Sequence, residues 1–420
     1  MKIVLINHTF QKERFYKRWK MLAQKHPDLD VTLLAPDSWT WGAGKTLTFG
    51  DVENKKGVEI DEGNFHIRLI DIRKHGYFGW TSKLMPEILK QLQPDLIYYI
   101  GLHTQEVIQQ LISIRNRWLP KAKLMVFSMR GKYHALRIRP GKCNLIRKGT
   151  RIFHYYYSKY KVNRLNKYVD AIFCHYPDGR DEFIREGYKG PIYMQTQVGV
   201  DMDYFHYDEV AKEKIRGKYN IGDAYLFGSA SRFHPSKGLF DIIAALPKEG
   251  NWKFLMMGSG LPAENEAIEK AIADRGLQDK IILTGFIDLE DMAEHWNALD
   301  CAVHAPRTTE MWEETFSLAL VQAMVTGLPV IGSSSGSVPY QIGPDGIVLE
   351  EGNIEKLHDQ FVYMLEHPEE GKQTGQKMFE RASKCFSVTH LNDCFYNTIL
   401  DIYNGVHDEK KADMTTYLVD

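Results

Sequence analysis

Cysteine is scarce and scattered. The five in 420 residues, Cys143, Cys174, Cys301, Cys385 and Cys394, include no Cys-x-x-Cys pair. That argues against a disulfide framework or a structural zinc and fits a reducing compartment. No apolar run reaches the ~20 residues needed to span a bilayer. The apolar start Met1-Lys-Ile-Val-Leu-Ile6 is too short for a secretion signal, so a cytoplasmic location is expected, with any membrane contact peripheral at the inner face. Net charge is almost absent, −1 at pH 7, which gives no bulk attraction to nucleic acid. The most local absence is of acids. Between Val107 and Val169 there is no Asp or Glu, while sixteen Lys and Arg residues fall there. This segment reads either as a solvated basic face offset by acids elsewhere, or as a surface for an anionic membrane or acceptor.

What is present is ordinary for a globular protein in composition and unusual only in order. A chain of this length is expected to form two domains. Short apolar runs alternate with longer helical patterns. In the first half, strands are expected at Lys2–Ile6, Val31–Ala35, His66–Leu69, Leu96–Ile100, Lys123–Phe127, Ala171–Cys174 and Ile192–Gln195, with helices such as Arg14–Gln24, Thr81–Gln91 and Thr104–Trp118 between them. The second half repeats the rhythm from Tyr225 to Glu366. Near-continuous apolar strands separated by helices imply parallel sheets covered on both faces, hence two doubly wound α/β domains. The expected division is 1–196, 197–386, a final helix over 387–404 and a mobile polar tail over 405–420. Ligands of such sheets sit at the carboxyl ends of strands, and the cleft between two such domains is the default site.

Two segments of the second half carry chemistry. Gly228-Ser-Ala-Ser-Arg232-Phe-His-Pro-Ser-Lys237-Gly238 follows a strand and precedes a helix, so Arg232 and Lys237 could add two positive charges to a diphosphate bound there. It lacks the P-loop order. Glu314-Thr-Phe-Ser-Leu-Ala-Leu-Val-Gln322 places a carboxylate before a helix expected over Ser317–Thr326, and an amide eight residues later. That spacing is just over two turns and puts both near one face; the adjacent Glu313 leaves the register open by one. Each segment alone could be an ordinary basic loop or a helix-dipole partner. Phe254-Leu-Met-Met-Gly258-Ser-Gly260 lacks the third glycine of a dinucleotide fingerprint. Asp201-Met-Asp203 is discounted as a metal motif. His8, His103, His134 and His175 lie near ends of N-terminal strands, where a histidine is more often satisfied internally than catalytic. Tyr155-Tyr-Tyr157, amid basic residues, could touch RNA or a lipid interface, but is expected to serve helix packing.

Taken in order, these marks resemble the family-4 retaining glycosyltransferases of GT-B fold (glycosyl transferases group 1). The resemblance is carried by Val198-Gly-Val-Asp-Met-Asp-Tyr-Phe205, Ser231-Arg-Phe-His-Pro-Ser-Lys-Gly238, Met257-Gly-Ser-Gly260, Thr284-Gly-Phe-Ile287, and Glu314 through Met324 with Gly327-Leu-Pro-Val-Ile331. It implies two Rossmann-like domains facing across a cleft, with the C-terminal helix crossing back to the N-terminal domain. Arg232, Lys237 and Glu314 are then the expected catalytic residues. Gly258, Phe286, Ile287, Thr315, Phe316, Ser317, Leu318 and Gln322 are the expected donor contacts. On the acceptor side the expectation is His8, His103 and Arg130. The resemblance breaks where Gln322 replaces a second Glu, where Asn7-His8-Thr9-Phe10-Gln11 replaces a glycine-rich loop, and where Met129-Arg130-Gly131 replaces a His-Gly. The implied activity is transfer of a sugar from a nucleotide diphosphate sugar, a UDP-sugar foremost, to a carbohydrate or lipid-linked acceptor. It implies no cofactor, no essential metal and no nucleic-acid partner. A GT-B epimerase or phosphorylase, or a non-catalytic nucleotide-sugar binder, are the alternatives.

Overall fold

The computed structural model describes residues 1–10, 13–37, 59–75, 79–129, 145–309 and 312–417. Arg130, His134 and Cys143 lie outside the described residues, as do the other basic residues between 130 and 144. The chain divides into two units, Met1–Gln197 with Leu391–Asp420, and Val198–His390.

In the first unit the described strands are β1 (Lys2–Ile6), β2 (Asp30–Pro36), β3 (Ile60–Glu62), β4 (Phe65–Ile70), the short pair β5 (Arg73–Lys74) and β6 (Trp80–Thr81), then β7 (Leu96–Ile100), β8 (Lys123–Phe127), β9 (Ala171–Cys174) and β10 (Ile192–Met194). The main sheet runs β10-β9-β8-β7-β1-β2-β4-β3; β3 pairs antiparallel to β4, and the other ladders are parallel. Helices α1 (Glu13–Lys25), α2 (Met85–Leu92), α3 (Glu106–Trp118), α4 (Leu145–Tyr168) and α5 (Pro177–Arg185) complete it. Alternate residues of β1 feed two cores: Val4 and Ile6 join one cluster, Ile3 and Leu5 the other. Both faces of the strand are covered, which is why it reads as a continuous apolar run.

The second unit repeats the plan. Its strands β11 (Tyr225–Ala230), β12 (Trp252–Met257), β13 (Ile281–Gly285), β14 (Cys301–His304), β15 (Val330–Ser333) and β16 (Ile347–Leu349) alternate with α6 (Glu209–Lys218), α7 (Leu239–Ala245), α8 (Pro262–Arg275), α9 (Leu289–Asn297), α10 (Leu318–Val325), α11 (Val338–Ile342), α12 (Ile354–Glu366) and α13 (Pro368–Phe386). The sheet order is β13-β12-β11-β14-β15-β16, with parallel ladders throughout. Strand order reverses between β11 and β14. The loops leaving their carboxyl ends therefore diverge to opposite sides and open a crevice.

Helix α14 (Val388–Asn404) follows, and from Leu391 onward the chain belongs to the first unit. The buried Arg18 of α1 holds it: the guanidinium donates to Asn392 Oδ1 at 3.0 Å, to the Leu391 carbonyl at 3.1 Å and to the Thr196 carbonyl at 2.7 Å. The tail expected to be mobile is packed instead. Met414 is fully buried, its amide donates to the Met194 carbonyl at 3.1 Å, and Asp413 bridges β10. The expected helix at Thr81–Gln91 begins only at Met85, because Trp80 and Thr81 pair in a strand and the Ser82 hydroxyl takes the Met85 amide at 3.1 Å.

Candidate nucleotide-sugar site

The crevice between β11 and β14 of the second unit gathers the two chemically loaded segments. After β11 the chain passes Arg232 and closes a single 3-10 turn, Pro235–Lys237. His234 caps that turn by accepting from the Ser236 amide. Gly238 follows at φ +68°, where a Cβ would stand 1.8 Å from the Ala305 carbonyl oxygen. Only glycine lets the turn lie against the chain leaving β14. The same two segments are tied again by the Arg307 amide, which donates to the Ser236 carbonyl at 2.8 Å. Arg307 also pairs with Asp241 of α7, Nη2 to Oδ1 at 2.6 Å.

Glu314 arrives on the loop after β14. Its backbone is fixed by the loop after β15: the Ser337 amide donates to the Glu314 carbonyl at 2.7 Å, and Gly336 packs so closely that a Cβ would meet that carbonyl oxygen at 2.0 Å. Buried Gln341 clamps the next residues. It accepts from the Ser317 amide at 2.9 Å and from the Ser337 hydroxyl at 3.0 Å, and donates to the Ser317 carbonyl at 2.9 Å.

These supports bring two predicted side chains together. Lys237 Nζ lies 2.7 Å from Glu314 Oε2, and the pair is largely shielded from solvent. His304, the last residue of β14, places Nε2 3.5 Å from the same oxygen. The ammonium also sits 4.4 Å from the centre of the Trp312 ring, a cation–π distance. Burial alone would raise the Glu314 pKa; contact with His304 and the charge of Lys237 more than offset it and hold the carboxyl down at about 2. Glu314 is therefore an anion and a hydrogen-bond acceptor at neutral pH, not a proton donor. The neighbouring Glu313 is also buried, but it is Glu314 that faces Lys237.

Arg232, on the same loop as Lys237, is exposed, and among the described residues its side chain makes no hydrogen bond or ion pair. Thr315, Phe316 and Leu318 are half-buried. Phe316 packs edge-on against Phe386 at 5.9 Å. Ser317 is the N-cap of α10, its hydroxyl accepting from the Leu320 amide. Gly258 follows β12 and its amide donates to the Gly285 carbonyl at 2.9 Å. Phe286 then stands exposed and Ile287 half-buried beyond β13.

Two expectations are corrected. Glu314 and Gln322 do not share a helix face, because the helix starts at Leu318 and residues 314–317 are irregular. Gln322 is buried, and its Oε1 accepts from the Trp296 indole at 3.4 Å. In the first unit, His103, expected on the acceptor side, is an internal residue. It is buried with Nδ1 3.1 Å from Ser128 Oγ and Nε2 3.1 Å from Ser158 Oγ, and Ser158 donates on to the buried Glu186 at 2.9 Å. His175 is likewise buried, 2.9 Å from Thr196 Oγ1. His8 follows β1, and burial, with help from Lys74, lowers its pKa to about 4. Among the described residues no group of three or more His, Cys, Asp or Glu is placed to hold a metal.

Sequence reasoning missed His304, Trp312 and Gln341. His304 left a signal, a polar residue closing the apolar strand Cys301-Ala-Val303. Gln341 left none, since two of its three bonds go to Ser317, 24 residues away on another loop.

Comparison with known proteins agrees with this geometry. Residues 211–381 match the family described as glycosyl transferases group 1. A GDP-mannose-dependent alpha-(1-6)-phosphatidylinositol monomannoside mannosyltransferase of Mycobacterium tuberculosis is 27% identical over 174 residues, 40% of this chain and 45% of that protein. A trehalose synthase of Pyrococcus horikoshii is 31% identical over 188 residues, 42% of this chain and 43% of that protein. The chain thus spans about half the length of the curated relatives it matches. Among solved structures, sucrose-phosphate synthase from Thermosynechococcus elongatus superposes with a TM-score of 0.70 at 17% identity, covering 96% of this chain and 100% of that one. Anabaena HepE in complex with UDP-glucose gives 0.66 at 17% identity, with 96% and 100% covered. The match to the glycosyl transferases group 1 family thus falls on residues 211–381 of the second unit, and the fold of the chain is that of the GT-B glycosyltransferases.

Proposed function

We propose that this protein is a retaining glycosyltransferase that moves a sugar from a nucleotide diphosphate sugar to an acceptor hydroxyl. The observation that carries the reading is the Lys237–Glu314 pair at the β11–β14 switch point, inside the segment that matches the family. An ammonium has three donors, so Lys237 can hold Glu314 and a phosphate oxygen together. Arg232, exposed on the same loop, adds a guanidinium whose planar fork suits a diphosphate. Glu314, ionised and fixed, accepts from hydroxyls of the sugar ring.

The leaving diphosphate gains negative charge as the glycosidic bond breaks. Fixed positive groups in a shielded crevice stabilise that charge, and one such group is commonly worth about 3 kcal/mol in the transition state. The acceptor attacks from the leaving-group side, and a phosphate oxygen takes its proton. Arg232 and Lys237 supply the positive charge that the diphosphate needs, so the reading calls on no metal. Phe286 and Ile287 border the base, and Gln322 stands where the ribose would lie.

The base is read as uridine. The M. tuberculosis relative is named for GDP-mannose, which makes guanosine the competing case. The acceptor is read as a carbohydrate or a lipid-linked carbohydrate, in polysaccharide or glycolipid synthesis. The test is a thermal-shift screen of UDP, GDP, UDP-glucose and GDP-mannose against the full chain. A ligand at one hundred times its Kd stabilises by about 2.7 kcal/mol, several degrees for a domain of ordinary size. A shift with one nucleotide series, followed by release of that nucleoside diphosphate in the presence of an acceptor, supports the reading. No shift with any of the four overturns it.

A further inference from the structure

We propose that His304 is a positioning residue for sugar transfer: its imidazole holds the Glu314 carboxylate in place for the sugar ring once the diphosphate draws on Lys237. The proposal rests on the sugar-transfer reading and adds to it a residue outside both chemically loaded segments.

The ring is carried by the sheet, not by a loop. Side chains of β14 alternate: Cys301 and Val303 join the core cluster of the second unit, so His304 points to the opposite face. In register it stands beside Gly332 of β15. A small cavity next to the ring is lined by Ala230, Trp296, Ala319, Leu320 and Ala323, and none of these side chains offers an acceptor. Nε2 is buried and forms no hydrogen bond among the described residues. It stands 3.5 Å from Glu314 Oε2, beyond the usual N–H···O range of about 2.7–3.2 Å. A buried donor left unmet is costly, and the group placed to meet this one is the carboxylate of the site.

Competition at one oxygen gives the contact its role. Lys237 Nζ and His304 Nε2 both face Oε2, which leaves Oε1 to accept from a sugar hydroxyl. The Lys237 side chain is 19% exposed and that of His304 9%, so an anion entering from solvent meets the ammonium first. Phosphate oxygens then share its donors, and its hold on Glu314 weakens. With its hydrogen on Nε2, the imidazole replaces what is lost by closing about half an ångström onto Oε2. Catalytic hydrogen bonds are often long without substrate and tighten in the complex.

The test is calorimetric titration of UDP, GDP, UDP-glucose and GDP-mannose into wild type, His304→Leu, His304→Gln, Glu314→Gln and the double variant His304→Leu with Glu314→Gln, each checked for folding by circular dichroism. Leucine fills the space without a donor; glutamine can put an amide N–H where Nε2 stands. In His304→Leu, affinity for the nucleoside diphosphate should stay within about twofold, while affinity for its sugar should fall at least about tenfold, as loss of a hydrogen bond to a charged group requires. His304→Gln should recover most of that loss. In Glu314→Gln the further change His304→Leu should cost nothing, because its only route to the sugar is gone. A merely structural role would weaken diphosphate and sugar nucleotide alike and would add to the effect of Glu314→Gln; either result overturns the proposal, as does unchanged sugar-nucleotide affinity in His304→Leu. If wild type binds none of the four, the sugar-transfer reading itself falls and this proposal with it; if wild type binds and only the His304 pattern fails, that reading stands.

Discussion

Lys237 Nζ lies 2.7 Å from Glu314 Oε2 across 77 residues of sequence. The contact exists because two loops leave neighbouring strands in opposite directions at the point where the strand order reverses. Glycines at 238 and 336 let backbone approach backbone on either side of it. The site is thus a product of topology first and of side-chain chemistry second.

The first prediction concerns acid. Glu314 titrates at about 2 in the folded chain against an ordinary 4.5. A depressed carboxyl contributes stability that is present above its unfolded pKa and is lost as pH falls through the folded one. The window is therefore pH 4.5 down to about 2, and the loss is about 3 kcal/mol. Denaturant melts of wild type and Glu314→Gln at steps from pH 6 to pH 2 should converge as pH falls. Curves that stay parallel would remove the charge pairing from the account.

Gln341→Leu removes three hydrogen bonds at once and leaves the Ser317 amide and carbonyl buried without that partner. Each buried polar group so stranded costs about 1–3 kcal/mol. A loss of about 2–5 kcal/mol in unfolding free energy is expected, together with weaker nucleotide binding, because Ser317 belongs to the loop that carries Glu314. Equilibrium unfolding and a nucleotide-induced melting shift read the two effects separately.

Gly336→Ala forces a side chain into a left-handed position, at about 1–2 kcal/mol, and drives its Cβ toward the Glu314 carbonyl. The loop must move to relieve the clash. The variant should stay folded yet lose most of the melting shift given by nucleoside diphosphate. An unchanged shift would mean that the position of Glu314 does not matter for binding.

Much of the fold was legible because parallel strands buried on both faces leave apolar runs with few interruptions. β1, β7, β8 and β9 are read to the residue. Helix α4 escaped because apolar residues occupy both its faces, Val162 and Leu165 inward and Phe153 and Tyr156 outward, which erases the 3.6-residue period. Helix α13 escaped because it contains Gly371 and Gly375. A Cβ at 375 would stand 2.2 Å from the Gly327 carbonyl oxygen, so a residue that weakens the helix locally is kept for close packing. The meeting of Lys237 and Glu314 could be read from their positions after strands. The relation of Gln322 to Glu314 could not, since it assumed a helix reaching back past Ser317.

Gln322→Glu follows from that correction. The new carboxylate could still accept from Trp296 and would add charge at a position where the family usually carries it. Donor affinity should change about fivefold, the worth of strengthening one hydrogen bond. Titration calorimetry with UDP and GDP measures it; identical affinities would place Gln322 away from the ribose.

The most direct measurement is calorimetric titration of nucleoside diphosphate into wild type and Lys237→Ala, with circular dichroism confirming that both are folded. If Lys237 grips the diphosphate, the variant binds at least about tenfold more weakly, as loss of a charge-assisted hydrogen bond requires. Equal affinity in a folded variant would contradict the account.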